Sequence, residues 1–132
     1  MVRFQTHACT DVTGFGLMGH GTELAQASGV CLCLQASCIP ILPEALALAK
    51  DGILPAGTYR NRNFAERGVD AGNTERALTD LLFDPQTSGG LLIAVDPQDA
   101  DQMEAELQKA VPEAKRIGTV EAKTDDHDIK IM

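Results

Sequence analysis

A chain of 132 residues with 44% apolar and 23% charged side chains is long enough for one compact domain with its own core. Its net charge of −8, from 19 acidic against 11 basic residues, excludes the clustered Lys and Arg of a nucleic-acid footprint and opposes an anionic membrane surface, so a polyanionic ligand would need a divalent cation as mediator. No apolar run reaches bilayer-spanning length and MVRFQTHAC lacks the apolar centre of a secretory signal, which together predict a cytoplasmic protein.

The chain opens on ACTDVTGFG, read as a glycine-rich loop ahead of a helix. Leu17, Met18, Gly21, Leu24, Ala25 and Ser28 recur at helical spacing and predict a helix over 14–28, closed by Gly29. GVCLCLQAS then alternates, with Cys31 and Cys33 on one strand face and Val30, Leu32 and Leu34 on the other. Cys9, Cys31, Cys33 and Cys38 form no CxxC pair or His ladder, and are read as small buried hydrophobes of a reduced protein. Pro43 suits the first turn of a second, short helix carrying Leu42, Ala45, Leu46 and Ala49 and ending at Gly52. The segment 53–72, ILPAGTYRNRNFAERGVDAG, lacks sustained periodicity and is read as a long functional or partner-facing loop.

Asn73 is expected to cap a helix with Leu78, Leu81 and Leu82, which stops at DPQTSGG because Pro85 and the glycine pair cannot continue it. LLIAV, 91–95, reads as a buried strand, and DPQDADQMEAELQKAV as an amphipathic helix with Met103, Leu107, Ala110 and Val111 on one side. AKRIGTV and DIKIM read as two closing strands, with the acidic TDDHDIK turn ahead of the last. Helices and strands alternate without an internal repeat, so the fold class is α+β, with helices packed on a mixed sheet in a single domain over 1–132. A free-standing domain rarely places its most chemically suggestive loop so near a terminus, where chains fray, which predicts a piece of a longer protein.

Asp11 in TDVTGFG admits two readings. Mg2+ takes oxygen ligands and commonly uses one or two protein carboxylates with phosphates and water, so a single Asp is enough; alternatively Asp11 or Thr13 caps the helix while Gly14 and Gly16 serve the turn. The stretch is no P-loop, because no GK[ST] follows. Backbone N–H groups of Ser88, Gly89 and Gly90, with the Thr87 hydroxyl, either form an anion nest or make a tight helix-to-strand connection. Arg60 and Arg62 offer guanidinium forks, with Asn61 and Asn63 as turn residues, although in an acidic chain such Arg are more often solvated or paired. His7, His20 and His127 are scattered; His20 meets only Glu23 at i+3, and no Ser-His-Asp or Cys-His arrangement follows from spacing.

Taken in order, ACTDVTGFGLMGH, GTYRNRN and LLFDPQTSGGLLIAV resemble the C-terminal domain of the selenophosphate synthetases, or selenide, water dikinases, within the aminoimidazole ribonucleotide synthetase superfamily; the likeness runs from Ala8 to the end. It implies a layered α+β domain, partly ferredoxin-like. It also implies an ATP-dependent kinase that makes selenophosphate from selenide, ATP and water and releases AMP and phosphate. In that family the Cys or selenocysteine nucleophile, its neighbouring Lys, the glycine-rich nucleotide segment and most Mg2+-binding aspartates belong to an N-terminal ATP-binding domain with no counterpart here. Cys9 is not that nucleophile, and no catalytic or cofactor-binding residue is assigned. Asp11 alone carries over, as a ligand of the Mg2+ that bridges the ATP phosphates; the Thr87–Gly90 loop matches a family signature without an assigned role. The resemblance further implies a homodimer for the full-length protein and an inactive, monomeric domain in isolation. Two alternatives are a related ATP-dependent synthetase of the same superfamily and a non-catalytic assembly module that uses the 53–72 segment.

Overall fold

The computed structural model describes residues 3–132. Its centre is β2 (Val30–Leu34), which runs antiparallel to β5 (Gly118–Ala122) on one side and parallel to β6 (Ile129–Ile131) on the other, with β3 (Val69–Asp70) parallel to β6 at the edge. Cys31, Leu32, Cys33 and Leu34 are all buried. The alternation read from the sequence therefore separates two covered faces, rather than core from solvent. Leu32 and Leu34 join the main core, where α1 (Gly16–Ser28) lays Leu17, Met18 and Ala25 against Ile129, Ile131 and Phe83. Complete burial of a side chain such as Met18 or Ile129 is worth roughly 1.5–3 kcal/mol each. Gly29 ends α1 as the sequence predicts.

A second, two-stranded sheet pairs β1 (Thr6–Asp11) with β4 (Leu91–Val95) in antiparallel register, Cys9 opposite Ile93 and Asp11 opposite Leu91, with an irregularity between Thr6 and Ala8. The opening motif is thus a strand up to Asp11 and becomes a turn only after it. His7, Cys9 and Asp11 are exposed along one face of β1, while Leu92 packs inward on the core. A two-stranded ladder is marginal by itself; the inward face secures this one.

Four more helices complete the fold: α2 (Ala45–Lys50), α3 (Ala56–Ala65), α4 (Arg76–Leu82) and α5 (Ala100–Gln108). The α+β class holds, with the strands divided between a mixed sheet and an antiparallel pair. Segment 53–72 is no loop, since it contains α3, a 3₁₀ turn and β3. α4 starts after Glu75 without a side-chain cap, so Asn73 does not cap it. Leu42 lies outside α2 and is exposed, as are Leu91 on β4 and Val111 beyond α5. Cys9 is exposed and Cys38 half-buried, so only Cys31 and Cys33 fit the reading of buried thiols. Among the described residues no helix is long and apolar enough to cross a membrane.

Candidate functional site

Asp11 stands exposed at the end of β1, and the chain then turns sharply. The Val12 N–H donates to the Gly90 carbonyl at 2.9 Å, and the Thr13 carbonyl accepts the N–H groups of Gly16 and Gln86, each at 3.0 Å. The 12–15 turn and the 85–90 connection are therefore laced back to back. Gly89 sits so close that a Cβ there would overlap the Val12 carbonyl and come 2.5 Å from Gln86 Oε1. Gly16, with φ of 70°, would bring a Cβ to 2.7 Å from the Asp84 carbonyl oxygen. Only glycine tolerates that backbone and that approach. At Gly89 the structure favours the tight-connection reading of DPQTSGG.

α3 clamps both loops from the side. Asn61 is buried in this helix, not placed in a turn, and its Nδ2 donates to the carbonyls of Gly14 at 2.8 Å and Phe83 at 2.9 Å. Thr58 Oγ1 donates to Asp84 Oδ1 at 2.8 Å, and Gly57 lies against Pro85. Arg62 faces away: its guanidinium donates to Asp80 at 2.8 Å and pairs with Glu66 at 3.3 Å, while Arg76 also reaches Asp80 at 3.0 Å. The hydrogen bond to Asp80 raises the Arg62 guanidinium above its ordinary pKa. Arg62 is thus a structural ion-pair partner. Arg60, by contrast, is exposed and lines a cleft.

That cleft, about 630 Å3, opens between the 13–15 turn, the start of α3 and Pro85. Within it His20 Nε2 lies 3.0 Å from Thr13 Oγ1, and His20 Nδ1 lies 3.3 Å from Glu23 Oε2. Phe15 sits 5.6 Å from the His20 ring and stacks on Phe64 at 6.1 Å, centroid to centroid. Spacing alone supplied only the Glu23 half of this array. Thr13 joins because the turn at Gly16 folds it back over the first turns of α1. His7 pairs loosely with Asp96 at 3.7 Å, and His127 with Asp125 at 3.2 Å, both away from the cleft.

Neither Asp11 nor Thr13 caps α1, whose flanking residue is Phe15 with no side-chain cap bond. Among the described residues the Asp11 carboxylate has no ion-pair partner, and the one side-chain bond to this residue, from Thr10, goes to its backbone carbonyl. A solvated, unpartnered carboxylate is a donor type that suits Mg2+. No group of three or more His, Cys, Asp or Glu among the described residues could hold a metal ion. A cation at Asp11 would therefore draw its other ligands from water, phosphate oxygens or protein outside this chain. The cysteines do not compete for this role: burial, then neighbouring Cys31 and Glu121, push the Cys33 thiol up to about 11, and Cys31 is buried beside it.

With this geometry in view, comparison with known proteins identifies the domain. Residues 1–129 match the family described as AIR synthase related protein, C-terminal domain, and the chain belongs to that family. It is 51% identical over 106 residues to the selenide, water dikinase of Pelobacter propionicus, covering 80% of this chain and 30% of that protein. It is 41% identical over 127 residues to the selenide, water dikinase of Clostridioides difficile, covering 95% of this chain and 36% of that protein. The chain thus spans about a third of the length of these relatives. Among solved structures, the hydrogenase maturation protein HypE in complex with ATP superposes with a TM-score of 0.57 at 18% identity, over 91% of this chain and 29% of HypE. At that identity the likeness concerns the fold.

Proposed function

We propose that this chain is the C-terminal domain of a selenophosphate synthetase, working with an N-terminal ATP-binding domain supplied by the remainder of a longer protein. The whole would make selenophosphate from selenide, ATP and water, releasing AMP and phosphate, as a homodimer in the cytoplasm. The domain alone is then a monomer without activity. The observation that carries this reading is Asp11: an exposed carboxylate with no ion-pair partner among the described residues, two residues ahead of a turn that lines a cleft, in a chain whose relatives are named selenide, water dikinases.

In this reading Asp11 gives one oxygen ligand to Mg2+, completed by ATP phosphates, water and carboxylates of the N-terminal domain. The ion, when bound, neutralises charge on the transferring phosphoryl group, which is the main demand of such chemistry. The chain's own residues hold the geometry. Asn61 and Gly89 fix the turn that follows Asp11, and Arg60 lines the cleft as a guanidinium of the type that meets phosphate oxygens.

The test is selenide-dependent AMP formation from Mg-ATP by this chain alone, and by the chain joined to the N-terminal two thirds of the Pelobacter propionicus relative. Activity is expected only in the joined protein. Asp11→Asn should lower it by about 10²-fold or more, the scale of several kcal/mol of charge stabilisation. A folded joined protein that is inactive, or active and indifferent to Asp11, would sink this reading.

A further inference from the structure

We infer that Thr13, His20 and Glu23 form a water-orienting relay, in which the Thr13 hydroxyl holds the water consumed in phosphoryl transfer and His20 takes up its proton. The inference rests on the proposed function for the identity of the reaction; its geometry is independent of it.

The tautomer of His20 decides what the hydroxyl can do. Glu23 Oε2 lies at ion-pair distance from His20 Nδ1, 3.3 Å, and a carboxylate oxygen there favours a proton over a lone pair on that nitrogen, which leaves Nε2 as the acceptor. The one Thr13 hydroxyl proton then points at Nε2 across 3.0 Å. Only lone pairs of Thr13 Oγ face the cleft. Such an oxygen attracts a water proton and repels a phosphate oxygen, so it orients a nucleophilic water and does not bind the anion. The ring is held for this task, with 12% of the side chain exposed and Phe15 packed at 5.6 Å, whereas Glu23 is half-exposed. Hydroxyl, imidazole and carboxylate follow one another in the order of a hydrolytic triad. Arg60 lines the same cleft and can receive phosphoryl oxygens, and Thr13 follows Asp11 by two residues along the chain.

The step balances. A lone pair of the water oxygen attacks phosphorus, and the P–O bond to the leaving nucleotide breaks with its electron pair on the departing phosphate oxygen. One water proton moves to Thr13 Oγ while the Thr13 proton moves to His20 Nε2. Glu23 stabilises the imidazolium so formed. The products are inorganic phosphate and the shortened nucleotide.

Two measurements test this. ¹⁵N NMR of His20 in the chain itself should show the Nδ1–H tautomer; the Nε2–H tautomer would overturn the relay, because the hydroxyl would then be free to donate to a phosphate. In the joined protein, Thr13→Val and His20→Gln should each lower kcat for AMP formation about 10²-fold, with KM for ATP within about twofold. Thr13→Ser, which keeps the hydroxyl and guards against misfolding of the valine variant, should retain kcat within about threefold. A rise in KM that accounts for the loss, an equal loss in Thr13→Ser, or a phosphate covalently attached to Thr13 by mass spectrometry would each overturn the inference. The unmodified joined protein serves as the control that separates the two ideas: its inactivity would defeat the proposed reaction, while the tautomer judges the relay without any substrate.

Discussion

Asp128 and Asp11 are carboxylates at opposite ends of the same fold, and they are treated in opposite ways. Asp128, 2% exposed, accepts from Lys123 and from Gln26 at 2.8 Å, its main chain bonds to Leu32 and Gly68, and Gly68 leaves room for its side chain. Asp11 is exposed at a strand end with no ion-pair partner among the described residues, although the loops beside it are bonded and packed with equal care. A buried charge must be fully satisfied or it destabilises the fold. The contrast marks Asp128 as part of the scaffold and Asp11 as a group held ready for something outside it.

That contrast can be broken from either side. The largest loss of stability is expected for Asp128→Ala, about 2–4 kcal/mol in urea unfolding, because it strands the Gln26 amide and the Lys123 ammonium. Asn61→Ala should follow at about 2 kcal/mol, since two backbone carbonyls lose their donor, and in the joined protein it should also lower activity by loosening the turn after Asp11. Asp11→Asn should leave unfolding within about 0.5 kcal/mol of the parent, so that any effect on activity is chemical. The smallest effect concerns Asp125, held at about 2 by the Lys130 hydrogen bond and then by the His127 N–H, against an ordinary 3.8. Its native pKa is depressed, so its contribution to stability is present above about pH 4 and is lost as the pH falls toward 2. Melting temperatures of Asp125→Asn across that interval should show a shallower acid decline than the parent.

How much could be read beforehand differs by element, for physical reasons. α1, its end at Gly29 and the central strand were legible because their apolar residues repeat at 3.6 or 2 and Gly29 suits a helix end. α3 was not. Its buried residues are Thr58, Asn61 and Ala65, a polar and small stripe that a search for apolar periodicity cannot see. β1 was hidden for a related reason: Thr6, Ala8 and Thr10 face inward while His7, Cys9 and Asp11 face out, so neither face is apolar enough to announce a strand. Asp11 was legible as a candidate because its motif and order resemble a family, whereas the Thr13 to His20 bond depends on a turn that brings distant positions together. Arg62 looked like Arg60 in sequence, and only the placement of Asp80 and Glu66 separates their roles.

The sorting of the thiols has a practical side. Cys9 lies exposed on the same strand face as Asp11, while Cys31 and Cys33 are buried together on one face of the central strand and the latter resists ionisation. An alkylating dye should therefore mark Cys9 in the native protein and reach Cys31 and Cys33 only when the sheet opens. The domain thus contains two built-in reporters, one that senses whatever approaches the Asp11 face and one that records global unfolding, and a single labelling experiment followed by peptide mapping reads both.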